Sequence, residues 1–343
     1  MSKMKLVNNT HIKSEHNICF VNTALQLLHS VQRMQTFFKM REYRLASEKT
    51  RNMKICDEIA RIFSSDGNFS SSAAELRQLV ALRSGRHYLS NGTQQDTVEF
   101  LTSLLELIER EISENNWEGK VVIKEFWGVE RNEKKYLNRS NGICRVCKSS
   151  PREETERFHV LQLNIPDTSR VLTMNGVLQS YYSESSDDAK MKCNCCKHKT
   201  NCPKTGPCKP KPFASKRVLV KSPDILILQI NRYSNLSGTK VKSTVWANDT
   251  LELPSGDKYT LCGIGHHLGE YFTSGHYLAS VKHGDEWIRC NDTQISISNE
   301  NESKSLECNV CIYTKIVSFD TPFIPTEEWQ NLKDRKAPGG LHY

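Results

Sequence analysis

Between residues 19 and 40, Phe20, Ala24, Leu27, Leu28 and Val31 recur at three- and four-residue steps, the spacing of one helical face. The stretches 52–63 (NMKICDEIARIF) and 72–82 (SAAELRQLVAL) repeat that spacing, and Ser70, Ser71 or Ser72 is available to cap the second. Residues 94–112 (QQDTVEFLTSLLELIEREI) predict the clearest helix, with Val98, Leu101, Leu104, Leu105 and Ile108 on its apolar face. Residues 1–18 read as an extended leading segment. After Trp117 the pattern changes to alternation, which predicts strands in 121–130, 158–166, 216–233, 251–265, 276–295 and 310–319. Several of these have one polar face, as antiparallel strands with a wet side do. Helices first and sheet second predict an α+β fold.

Composition narrows the reading. The chain has 343 residues, enough for one large domain with sub-lobes or for two ordinary domains. No apolar run approaches the ~20 residues of a membrane-spanning helix. The first residues, MSKMKLVNNTHIKSEHN, lack the apolar core of a secretion signal, so a reducing compartment, cytoplasmic or nuclear, is expected. There the thirteen cysteines point to metal binding or catalysis rather than to a disulfide framework. The net charge of +8 is spread out, apart from a basic cluster at 197–212. That is not the basic stripe with interleaved aromatics expected of a nucleic-acid binder.

The cysteines are not scattered. Cys144 and Cys147 form one Cys-x-x-Cys pair, and Cys193 and Cys196 another. Two such turns supply the four thiolates of a tetrahedral structural Zn²⁺ site, which would give a polar stretch with little core of its own a source of folding energy. Cys195, Cys202, Cys208 and His198 lie close by and are alternative ligands. Cys308 and Cys311 repeat the spacing but run straight into an alternating segment, so they read as strand residues.

Cys19 stands apart. It opens the first predicted helix, where the helix dipole and any neighbouring imidazolium favour a thiolate. A base is available in SGHYLASVKHGDEWIRCND: His276 follows a glycine, a hairpin turns at HGDE, and Asn291 and Asp292 end its second strand. Such a hairpin returns an amide or carboxylate to the vicinity of His276. An imidazole base needs that acceptor to fix its tautomer and orientation.

These residues and their neighbours resemble the boxes of the ubiquitin-specific proteases, papain-like cysteine peptidases. HNICFVNTALQLL (16–28) is similar to the family's cysteine box at Asn17, Cys19, Phe20, Asn22, Leu25 and Gln26. GTQQDTVEFL (92–101), ILILQINRYS (225–234), HLGEYFTSGHYLASVK (267–282) and WIRCNDTQIS (287–296) resemble further boxes in the same order. The histidine box includes His267, Gly269, Gly275, His276 and Tyr277, with Trp287, Asn291 and Asp292 after it. The two cysteine pairs fall where the family carries its zinc.

The resemblance implies one catalytic domain over residues 1–325: a helical thumb (~1–120), zinc-stapled β fingers (~121–215) and an antiparallel β palm (~216–325), with 326–343 as a tail. It implies cleavage of the isopeptide or peptide bond after the terminal glycine of ubiquitin. Cys19 would be the nucleophile, His276 the base, Asn291 its orienter, and Asp292 an assistant to the oxyanion or the triad. Asp96 and Glu99, three apart, would share a helix face and meet the arginines of ubiquitin's tail, with Tyr277 beside them. Ser14 stands where the family carries an asparagine that donates to the oxyanion, with Asn17 as a second candidate. Loss of one such donor costs about 2.7–4 kcal/mol. His16 and Ile18 replace the family's usual glycine and threonine. Two alternatives follow: a ubiquitin-binding pseudoprotease with weakened catalysis, and a protease for another ubiquitin-like modifier. A zinc-stapled nucleic-acid or scaffold protein is a third, from a different class.

Overall fold

The computed structural model describes residues 17–44, 53–64, 72–114, 126–136, 153–191, 211–233, 240–271, 274–292, 294–305 and 307–316. Residues 1–16, including Ser14 and His16, lie outside the described residues, as do the tail and Cys144, Cys147, Cys193, Cys195, Cys196, Cys202, Cys208 and His198.

The helix expected over 19–40 is two. The chain is extended at Val31 (φ −86°, ψ 109°) between α1 (Cys19–Ser30) and α2 (Gln32–Lys39). At the break the Ser30 hydroxyl donates to the Leu27 carbonyl at 2.7 Å, a local bond that competes with helical pairing. The apolar phase runs on through it, because Met34, Phe37 and Phe38 are buried on the next helix. Three more helices follow the predicted stripes: α3 (Lys54–Ser64), α4 (Ser72–Ser84) and α5 (Thr97–Glu114). One buried carboxylate ties them together. Glu111 of α5 accepts from the backbone N–H groups of Ile55 and Cys56, both at 3.0 Å, so it satisfies donors at the start of α3. Arg83 of α4 reaches the same carboxylate at 3.0 Å.

The β half forms two main sheets. In chain order the elements are β1 (Gly128–Tyr136), β2 (Glu154–Phe158), β3 (Val160–Asn164), β4 (Leu172–Thr173), α6 (Met174–Tyr181), β5 (Ser185–Met191), β6 (Lys211–Lys221), β7 (Ile225–Asn231) and β8 (Val245–Trp246). They continue as β9 (Thr250–Glu252), β10 (Lys258–Tyr271), β11 (Ser274–His283), β12 (Glu286–Asn291), β13 (Gln294–Ser298), α7 (Glu300–Ser305) and β14 (Cys308–Lys315). The smaller sheet has the order β2-β1-β6-β5, and the larger β13-β12-β11-β10-β14-β7-β3, with β9 beside β10. The larger sheet is antiparallel except at one edge, where β3 runs parallel to β7. That pair adds one parallel strand, from residues 160–164, to the edge of the expected antiparallel palm. It also interleaves the lobes: β3 and α6 fall within 121–215 but pack with the larger sheet.

Helix α1 lies across this larger sheet, and glycines on β10 admit it. A Cβ on Gly265 would meet the Val310 side chain at 2.6 Å and those of Leu27 and Thr23 at 3.2 Å. The resulting core joins α1 to Ile225, Ile227, Tyr277, Val310 and Ile312 of the sheet. The helix that begins with Cys19 is thereby seated against β11.

Candidate active site

The strands build the base. In the β10–β11 pair Leu268 lies opposite His276, and in the β11–β12 pair Ala279 lies opposite Cys290. One further step in that register puts Asn291 opposite Leu278. The pleat puts residues 276 and 278 on one face, so Asn291 is the diagonal neighbour of His276. The Nε2–H of His276 donates to Oδ1 of Asn291 at 2.5 Å. The carboxamide oxygen fixes the proton on Nε2 and leaves Nδ1 for Cys19.

The nucleophile candidate comes from the other direction. Cys19 is the first residue of α1, behind Ile18, whose side chain makes no cap bond. Interaction with the Cys19 thiol raises the His276 pKa from 6.5 to about 9, against the opposing effect of burial and with further help from Asn291 and Asp292. Cys19 is only 6% exposed, whereas the His276 side chain is 38% exposed. The sulfur therefore lies at the bottom of the site with the ring at its rim.

Asp292 adopts a left-handed backbone conformation (φ 47°). One carboxylate oxygen accepts from Asn22 Nδ2 at 2.8 Å; the other lies 3.9 Å from His276 Nε2. The sequence marks Asn22 only as a match to the cysteine box, with no role attached. Asn17 is also left-handed (φ 64°), and its Nδ2 donates to the Gly92 carbonyl at 2.8 Å. That bond joins the loop before Cys19 to the loop before α5.

The expected acidic face is different in kind. Asp96 is not on the helix with Glu99; it caps it. Its Oδ1 accepts from the N–H groups of Val98 at 2.7 Å and Glu99 at 3.0 Å. Its other oxygen faces the Tyr277 hydroxyl at 3.5 Å. Both side chains are buried, and burial raises the pKa of each. Asp96 and Tyr277 therefore brace the floor of the site instead of lining an open channel. Glu99 is half-buried and accepts a hydrogen bond from the exposed Tyr88 hydroxyl.

A second network stands behind the base; His267 and Tyr233 belong to the quoted boxes, but no motif marks Lys240 or Glu307. Lys240 has a side chain 1% exposed and pairs with Glu307. It also donates to the carbonyls of His267 at 2.7 Å and Gly269 at 2.8 Å. Lys240 and the Tyr233 hydroxyl both approach His267 Nδ1, at 3.4 and 3.1 Å. Burial, Lys240 and His276 together lower the His267 pKa to about 4, so this ring is neutral. It lies directly under Gly275: a Cβ there would come within 2.6 Å of His267 Nε2.

Cys308 and Cys311 lie in β14, as read from the sequence. A register shift between Gly265 and His266 lets both sulfurs sit on one side, 3.2 Å apart and buried. Among the described residues no cluster of three or more metal-ligating side chains is found, and no helix is long and apolar enough to cross a membrane.

A helical lobe and a strand-rich lobe that meet at one cysteine and one histidine define the papain-like α+β class. The fold aligns with a SAGA DUB module of Ubp8, Sgf11, Sus1 and Sgf73 bound to monoubiquitin at a TM-score of 0.71, with 18% identity over 92% of this chain and 71% of that one. The same module bound to ubiquitin aldehyde aligns at 0.69 with 17% identity, over 92% of this chain and 71% of that one. The chain belongs to the ubiquitin carboxyl-terminal hydrolase family, whose family model matches residues 10–317. It is 26% identical to ubiquitin carboxyl-terminal hydrolase 26 of Oryza sativa subsp. japonica, over 81% of this chain and 25% of the relative. It is also 26% identical to ubiquitin carboxyl-terminal hydrolase 17-like protein D of Mus musculus, over 91% of this chain and 56% of the relative. The chain thus spans about a quarter and just over half of these relatives' lengths.

Proposed function

We propose that this chain is a deubiquitinase, a thiol hydrolase that cuts the isopeptide or peptide bond after the terminal glycine of ubiquitin. The observation that carries the reading is the chain of contacts from the Cys19 sulfur to the His276 ring and on to the Asn291 carboxamide. His276 takes the thiol proton before attack and holds it as the imidazolium, and the Cys19 thiolate adds to the glycine carbonyl carbon. The tetrahedral intermediate then collapses, and the imidazolium gives its proton to the departing lysine amine. A water activated by the same imidazole splits the thioester, releasing the ubiquitin carboxylate and restoring the thiol. Asn291 keeps the ring in the tautomer both steps need. Family membership and the ubiquitin in the matched structures support the substrate class.

The decisive experiment uses a ubiquitin C-terminal reporter on wild type and on Cys19→Ala. Wild type cleaves it; Cys19→Ala binds ubiquitin without cleaving. A wild type that binds ubiquitin but does not react with an electrophilic ubiquitin probe at Cys19 would instead be a pseudoprotease. Cleavage of a reporter built on another glycine-tailed modifier, with ubiquitin ignored, would move the substrate to that modifier.

Cys144, Cys147, Cys193 and Cys196 are the proposed ligands of one structural Zn²⁺. The strand ends that flank them support this. Tyr136 at the end of β1 pairs with Phe213 near the start of β6, and Met191 at the end of β5 pairs with Lys211. Both cysteine-bearing segments leave from one end of the smaller sheet. Bound zinc supplies folding energy there. Purified protein is expected to carry one equivalent of zinc, and stripping it to unfold the smaller sheet first. Metal-free folded protein would overturn the ligand set.

A further inference from the structure

We propose that Asn22 is a positioning residue, an amide on the nucleophile's own helix that holds the Asp292 carboxylate back from the His276 ring, so that the ring's acceptor is the neutral Asn291. The inference rests on the Cys19–His276 reading above.

Asn22 follows Cys19 by three residues, so both lie on one face of α1. It is 4% exposed, and its Nδ2 donates to Asp292 Oδ1 at 2.8 Å. Its own Oδ1 is buried and has no hydrogen-bond partner among the described residues. A position chosen for packing alone would not carry an amide with a buried orphan oxygen. The bond to Asp292 is what this side chain supplies.

Asp292 shows why such a bond is needed. Its backbone is left-handed (φ 47°), a conformation that aspartate tolerates better than most residues and that turns the chain just after Asn291. That turn directs Asn291 toward His276 and Asp292 toward α1. The free oxygen of Asp292 is still only 3.9 Å from His276 Nε2, the nitrogen that Asn291 occupies at 2.5 Å. A small rotation of an untethered carboxylate would replace the amide with an anion. An anion on Nε2 would stabilise the imidazolium and slow proton return to the leaving amine. Asn22 therefore selects which of two adjacent acceptors the base uses.

The titratable groups that face His276 are Cys19 from α1, His267 from β10 and Asp292 after β12. His267 is neutral, so Asp292 is the group whose movement the ring would register.

The test is steady-state kinetics on the ubiquitin reporter across pH, with thermal unfolding of each variant as the check on folding. Asn22→Ala and the isosteric Asn22→Asp are expected to lower kcat about ten- to a hundredfold with KM within about twofold. Both should move the alkaline limb of the profile upward, Asn22→Asp further, because repulsion drives Asp292 onto the ring. The double change Asn22→Asp with Asp292→Asn restores the hydrogen bond with donor and acceptor exchanged. It is expected to recover most of kcat and return the limb to the wild-type position or below. The inference is overturned if folded Asn22→Asp keeps wild-type kcat and limb. It is equally overturned if kcat falls with the limb unmoved and the double change gives no recovery, the pattern of a merely structural residue. Should Asn22→Ala fail to fold, the isosteric and double variants decide alone. Activity surviving in Cys19→Ala would sink the catalytic reading itself; a dead Cys19→Ala beside an unchanged Asn22→Asp sinks only this inference.

Discussion

The imidazole of His276 donates through Nε2 to the Asn291 carboxamide oxygen at 2.5 Å, across two strands of one hairpin. The partner is neutral, so it orients the ring without adding a full charge to it. The raised pKa of His276, about 9, comes first from Cys19 and only then from Asn291 and Asp292.

Asn291→Ala should therefore lower kcat on the ubiquitin reporter by about a hundredfold, through loss of ring orientation, with little change in KM. The alkaline limb of its pH–rate profile should fall below the wild-type position near 9, because one of the influences that raise the His276 pKa is gone. An unchanged limb would mean that Asn291 does not hold the ring in solution.

The same ring makes stability depend on pH. Its folded pKa of about 9 lies above the ordinary 6.5, so the folded state holds the proton more tightly. The stabilisation is complete below 6.5 and is lost as pH rises from 6.5 to about 9. Denaturant unfolding of wild type and His276→Ala should thus converge across that window. A constant difference from pH 6 to 10 would contradict it.

Asp96 and Glu99 should separate by phenotype. Asp96→Ala removes a buried helix cap and should cost about 0.5–2 kcal/mol of stability, read as a lower denaturation midpoint. Asp96→Asn keeps the capping oxygen and should recover most of that loss. Glu99→Ala should leave the midpoint nearly unchanged and raise KM, if Glu99 meets the basic tail of ubiquitin. A KM effect confined to Asp96 would reverse these roles.

Gly275→Ala should nearly abolish turnover while leaving the fold largely intact. The added Cβ would lie 2.4 Å from the Leu268 carbonyl oxygen and 2.6 Å from His267 Nε2, at a φ of +156°. Relief of that clash must move the residue immediately before His276. Turnover within about threefold of wild type would show that β11 can shift without displacing the base.

Much of this site could be read from the sequence because its chemistry is local. Cys19 opens an apolar helical stripe, and the turn at HGDE brings residue 291 back to residue 276. The features that escaped depend on long-range pairing. Val31 breaks a helix whose apolar phase continues past it, so periodicity is silent there. The parallel partnership of β3 and β7 joins segments more than sixty residues apart and leaves no local trace. Asp96 looks like half of a solvated acidic pair, and only the Tyr277 hydroxyl reaching it from β11 shows it to be buried. Lys240 lies in an unremarkable polar stretch, although its ammonium secures the end of β10 that carries His267 and Gly269.

The glycines of β10 let α1 settle so closely on the sheet that thumb and palm own a common interior. Levering the lobes apart would strip water-free surface from Leu27 and Val310 together, which makes a clamshell motion costly. In hydrogen exchange, amides of α1 and β14 should open as one cooperative unit, well after those of the loop around Gly92.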